Sequence, residues 1–88
     1  MEDTRILIVD DQPEFRAMLT VILQKSGFRV FAAADGEEAL RLVSEIAPDL
    51  ILMDVSMPGM DGMETARRIR QLTSAPILFL SALGGPET

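Results

Sequence analysis

Ile6-Leu7-Ile8-Val9-Asp10-Asp11 runs four aliphatic residues straight into two carboxylates. An apolar run this short, without alternation, reads as a strand covered on both faces of a sheet. Two further runs end in the same manner. Leu50-Ile51-Leu52-Met53 meets Asp54, and Ile77-Leu78-Phe79-Leu80 meets Ser81. If the three lie parallel in one sheet, their oxygens gather at one edge. Open α/β sheets place ligands at that carboxyl edge.

The segments between these runs have the length of crossover units. Strand-like runs begin near Ile6, Phe28, Leu50 and Ile77. Each interval leaves room for one helix and two short turns, the βαβ unit with parallel strands and right-handed crossovers. In the first interval, Phe15, Met18, Leu19, Ile22 and Leu23 follow the spacing of a buried helix face. Pro13 suits the first turn of that helix and Gly27 its end. The second interval opens with Asp35 and places Glu38 three residues on, a capping-box pattern with Asp as cap. Ala39, Leu40, Val43 and Ile46 form the inner face, and Pro48 follows the end. The third repeats the pattern with Asp61 and Glu64. Ala66 and Ile69 face inward, while Arg67, Arg68 and Arg70 sit at the negative end of the helix dipole. With Arg41 these arginines read as a solvated helix surface.

Helices on both faces are needed to cover such a sheet. Winding the first crossover one way and the next two the other gives the strand order 2-1-3-4. The order reverses between the first and third strands, and Asp10, Asp11 and Asp54 stand at that reversal.

Composition narrows the chemistry. The 88 residues suffice for one small domain, and 48% are hydrophobic, which excludes disorder by composition. No apolar stretch approaches the roughly 20 residues of a membrane span, and the amino-terminal residues lack a secretory pattern. Both point to a soluble cytoplasmic protein. There is no Cys and no His, so disulfides, thiolate nucleophiles, His-based triads and the usual zinc sites are excluded. A metal here must be held by oxygen, and Mg²⁺ leads among the candidates. Fourteen acidic against eight basic residues give a net charge of −6, which disfavours direct nucleic-acid binding.

Three carboxylates brought close together repel one another unless a cation compensates. Beyond Asp54, the loop Val55-Ser56-Met57-Pro58-Gly59-Met60-Asp61-Gly62 contains a Pro-Gly turn. Such a turn presents backbone N–H groups suited to phosphoryl oxygens. The plainer alternatives are that Asp10 or Asp11 caps the first helix, that Met57 and Met60 are packing residues, and that Ser81 is an ordinary strand-end serine.

Taken together, Asp10-Asp11 after the first strand, Asp54 after the third, Met57-Pro58-Gly59-Met60-Asp61-Gly62, and Leu80-Ser81-Ala82 resemble the receiver domain of two-component response regulators. The resemblance runs from Arg5 to Ala82. It implies a flavodoxin-like (CheY-like) fold and a role for each matching residue. Asp54 would accept a phosphoryl group from a phosphohistidine on a sensor histidine kinase. Asp11 and Asp54 would bind Mg²⁺ directly with the backbone carbonyl of Ser56, Asp10 would act through a metal-bound water, and Ser81 would be the switch hydroxyl. The receiver would assist its own phosphorylation without being a free-standing enzyme, and it would act on an output domain or partner protein.

The resemblance also implies a fifth strand ending in a Lys, a switch aromatic and a final helix. The lone Lys of this chain is Lys25, late in the first helix. The expectation is a receiver truncated after the fourth strand, without a cation to pair with the phosphoryl group and with slow or absent phosphorylation of the chain alone. Ala75 to Leu80 would then form an exposed apolar edge inviting self-association. Two rival readings remain: a non-phosphorylated assembly module with a receiver-like fold, and an Mg²⁺-dependent phosphohydrolase. The latter needs an acid/base and a substrate cap that the sequence does not show.

Overall fold

The computed structural model describes residues 3–54 and 62–80. Four strands alternate with three helices: β1 (Arg5–Val9), α1 (Pro13–Lys25), β2 (Arg29–Ala33), α2 (Gly36–Ile46), β3 (Leu50–Asp54), α3 (Gly62–Arg70) and β4 (Ile77–Leu80). All strands pair in parallel in the order β2-β1-β3-β4, the order read from the sequence. Val9 is level with Ala33 on one side and Met53 on the other. The register therefore brings the end of β1, with Asp10 and Asp11 just beyond it, alongside the end of β3 with Asp54.

Leu7, Val9, Ala33, Ile51 and Met53 form one core with Ala39 and Val43 of α2 and Ala66 and Ile69 of α3. Alternation along each strand turns these residues to a single face. At the amino end of α2, the Asp35 carboxylate accepts the Glu38 N–H at 2.8 Å, and Glu38 Oε1 accepts the Ala34 N–H at 2.9 Å. The expected capping box is present, with Glu reaching one residue beyond the cap. The helix stops at Ala47, which adopts the left-handed conformation at φ 50°, one ordinarily taken by glycine. α1 ends at Ser26, and Gly27 follows at φ 97°.

The opposite face departs from the sequence reading. The α1 stripe was expected to be buried, yet no residue of α1 is. Phe15, Leu19 and Leu23 are half-buried, while Met18 is 48% and Ile22 50% exposed. The cause is lateral placement: α1 packs on β2 and β1, and among the described residues no helix lies over the β3–β4 half. β4 is the edge strand by its place in the order; Leu78 is 54% exposed on this face, and Phe79, level with Met53, is 44% exposed on the other. The exposed apolar edge expected over Ala75 to Leu80 is present at these two residues. Thr65 of α3 is wholly buried, and among the described residues its hydroxyl has no hydrogen-bond partner.

Candidate functional site: an acidic cluster at the carboxyl edge of the sheet

Asp10 follows directly on β1. Its N–H donates to the Ala33 carbonyl of β2 at 3.1 Å, extending the ladder by one residue. Its carboxylate accepts the Gln12 N–H at 2.8 Å, which turns the chain toward α1. The helix cap is Gln12, whose side chain makes no capping bond. Neither aspartate is therefore the cap residue of α1, and the plainer capping reading fails for both. Asp54 is the last residue of β3 and half-buried, as is Asp11.

One carboxylate oxygen from each of Asp10, Asp11 and Asp54 lies within 4.8 Å of the other two. This is the juxtaposition expected from the strand order. Asp10 is only 4% exposed. Burial lifts its carboxyl above the ordinary aspartate range, the Gln12 N–H opposes that rise, the Asp54 and Asp11 charges add to it, and Arg16 opposes it. The donor set is all oxygen and triply acidic. It suits a hard divalent ion such as Mg²⁺, which takes one or two carboxylates and keeps several waters.

Ser56 and Ser81, the other two residues expected at the site, lie outside the described residues, as do Met57, Pro58, Gly59, Met60, Asp61 and Ala82. Arg41, Arg67 and Arg68 are engaged on the helix surfaces. Arg41 pairs with Glu38 and Glu45, and Arg67 and Arg68 both pair with Glu64. Arg70 donates to the Thr73 and Ala75 carbonyls beyond α3. The reading of these four as helix surface holds, and none belongs to the site.

Arg16 went unrecognised in the sequence. Its Nη1 donates to the Asp10 carbonyl at 2.7 Å. A signal was available: Arg16 stands near the amino end of α1, where the helix dipole disfavours a cation. A basic residue there calls for a compensating negative neighbour.

The response regulator receiver domain model matches residues 6–88. Among curated proteins, the DNA-binding response regulator MtrA of Mycolicibacterium smegmatis is 44% identical over 78 residues, covering 89% of this chain and 34% of its own length. The transcriptional regulatory protein AfsQ1 of Streptomyces coelicolor is 44% identical over 77 residues, covering 88% and 34%. The chain thus spans about a third of the length of these curated relatives. Among solved structures, the response regulator TrrA of Thermotoga maritima, in complex with Mg²⁺-BeF, superposes with a TM-score of 0.83 at 40% identity, over 90% of this chain and 70% of that one. The chemotaxis protein CheY4 of Vibrio cholerae gives 0.84 at 38% identity, over 86% and 66%. With the strand order and the acidic edge, these matches establish that the chain belongs to the response regulator receiver domain family.

Proposed function

We propose that Asp54 accepts a phosphoryl group from the phosphohistidine of a sensor histidine kinase. The observation that carries this reading is the meeting of Asp10, Asp11 and Asp54 within 4.8 Å at the sheet edge. An Asp54 oxygen bonds to phosphorus as the phosphorus–nitrogen bond breaks, and the departing imidazole takes a proton from solvent. Phosphoryl transfer of this kind depends on positioning and charge neutralisation. Mg²⁺, when bound, would neutralise charge gathered on the phosphoryl oxygens. Asp11, Asp54 and the Ser56 backbone carbonyl would hold the ion, with Asp10 acting through water. Ser81 would turn toward the new phosphoryl group, whose added charge gives the hydroxyl a partner and biases a nearby surface. The site thus serves as a phosphoacceptor and not as a free-standing enzyme.

DNA binding appears in the name of the mycobacterial relative. A net charge of −6 is unsuited to a phosphate backbone, so DNA contact in a longer regulator would fall to another domain. A second activity is favoured by the exposure of Leu78 and Phe79 on the β4 edge: association with another copy of the chain through that strand.

The phosphoacceptor reading is tested by incubating the chain with a small phosphodonor and Mg²⁺ and following its intact mass. The chain has one Lys, in the last turn of α1, so a slow gain of one phosphoryl group is expected, absent in Asp54→Asn. A gain that persists in Asp54→Asn, or none after long incubation, overturns the reading. Rapid full conversion overturns the expected slowness.

A further inference from the structure

Three carboxylates crowded at one edge raise the question of what holds them together when no metal does. The charges of the chain are distributed unevenly about this edge. Arg5 and Arg29 open β1 and β2, at the opposite end of the sheet. Lys25 is in the last turn of α1, and Arg41, Arg67, Arg68 and Arg70 are bound on or just beyond α2 and α3. Among the described residues, Arg16 is the cation held at the acidic edge.

Its attachment is specific. Arg16 is half-buried, and its guanidinium meets the Asp10 carbonyl at 2.7 Å. The Arg16 N–H donates to the Gln12 carbonyl at 3.0 Å, and the Arg16 carbonyl accepts the Thr20 hydroxyl at 2.7 Å. Gln12 in turn donates to the Asp10 carboxylate. The residue is therefore tied into the turn that carries Asp10 and Asp11, and both polar ends of Asp10 are restrained. A cation near the start of a helix works against the helix dipole, and the Asp10 carbonyl, with the Asp10 charge nearby, offsets that.

We propose that Arg16 is the positioning residue of the acidic edge: its guanidinium clamps the Asp10 carbonyl and so fixes a positive charge at the turn that brings Asp10 and Asp11 to Asp54. The charge restrains their mutual repulsion in the metal-free state and keeps the turn in the geometry a cation needs. Mg²⁺ and Arg16 then act on the same repulsion, so removing one raises the weight of the other. This last step rests on the metal reading above, while the restraint of repulsion does not.

The test compares the chain with Arg16→Met and Arg16→Lys by thermal unfolding under far-ultraviolet circular dichroism. In metal-free buffer, salt is raised until the screening length falls from about 30 Å at 0.01 M to about 3 Å at 1 M. The Met variant should gain more from salt than the parent chain, by roughly 4 °C in Tm. Added Mg²⁺ should also raise Tm more in the Met variant than in the parent, and Arg16→Lys should return both responses toward parental values. A Met variant with lower Tm but unchanged responses to salt and Mg²⁺ overturns the proposal, leaving Arg16 as a brace. A Lys variant that behaves like Met overturns it as well, because charge is then not the agent. A salt difference without any Mg²⁺ response supports Arg16 and refutes the metal reading.

Discussion

On one face of the sheet, Leu7, Val9, Ala33, Ile51 and Met53 meet α2 and α3 and retain no accessible surface. On the other, α1 covers β1 and β2 but has no buried residue, and Leu78 of β4 is more than half exposed. Sequences for both faces are equally aliphatic. The difference lies in how many helices reach each face: α2 and α3 lie on the first, and among the described residues α1 alone lies on the second. The first face fixes the register that brings Asp54 beside Asp10. Among the described residues, the second leaves apolar surface exposed.

The sharpest way to break this contrast is a matched pair of truncations. Ile51→Ala opens a cavity on the packed face and should cost about 2–5 kcal/mol. Ile22→Ala removes a half-exposed side chain of α1 and should change stability by no more than about 0.5–1 kcal/mol. Urea unfolding of both variants, followed by far-ultraviolet circular dichroism, gives the two values. An Ile22→Ala loss equal to that of Ile51→Ala would mean that the α1 face is buried in solution.

Association of copies would produce such burial, and β4 is where to probe it. The parent chain should show a mass by light scattering that rises with concentration. Leu78→Lys should remain monomeric, with folding stability within roughly 0.5 kcal/mol of the parent at low concentration, since the residue is exposed in the single chain. A parent chain that stays monomeric at high concentration would remove self-association from its proposed activities. It would also leave the open face without an occupant among copies of itself.

The sequence was most legible where a local signal and a long-range constraint agreed. Asp35 with Glu38 marked the start of α2, and the aliphatic run into Asp10 marked a strand whose end had to meet another. Strand order followed from the need to cover two faces, and the acidic cluster followed from strand order. Periodicity was less informative for Met18 and Ile22. A helical stripe shows which face of a helix is apolar, but not whether a neighbour extends far enough to cover it. β4 was legible as an edge from strand order alone, although Leu78 and Phe79 have the composition of a central strand. Arg16 was missed because its role is in a side-chain bond to a backbone carbonyl six residues earlier. That bond has no sequence pattern beyond a cation at the unfavourable end of a helix.

Where the strands end, burial changes sign as a contribution to stability, and Asp10 allows this to be measured. Nearly complete burial, together with Asp54 and Asp11, raises its carboxyl above the ordinary aspartate range, against the lowering pull of Gln12 and Arg16. An acid whose native pKa is raised binds protons more tightly folded than unfolded. Stability therefore falls as pH rises from the unfolded value, about 3.9, through the raised native one, and the full penalty applies above it. Asp10→Asn keeps an oxygen for the Gln12 N–H and removes the charge. In metal-free buffer it should raise Tm at neutral pH, by less than Ile51→Ala lowers it, and the gain should fade as pH drops through the native Asp10 value. Adding Mg²⁺ should narrow the gap, since the ion favours the parent chain with three carboxylates. Thermal unfolding across pH, with and without Mg²⁺, reads both trends. A gain that does not vary with pH would show that the Asn variant acts through packing, and that the edge obeys the same rule as the covered face.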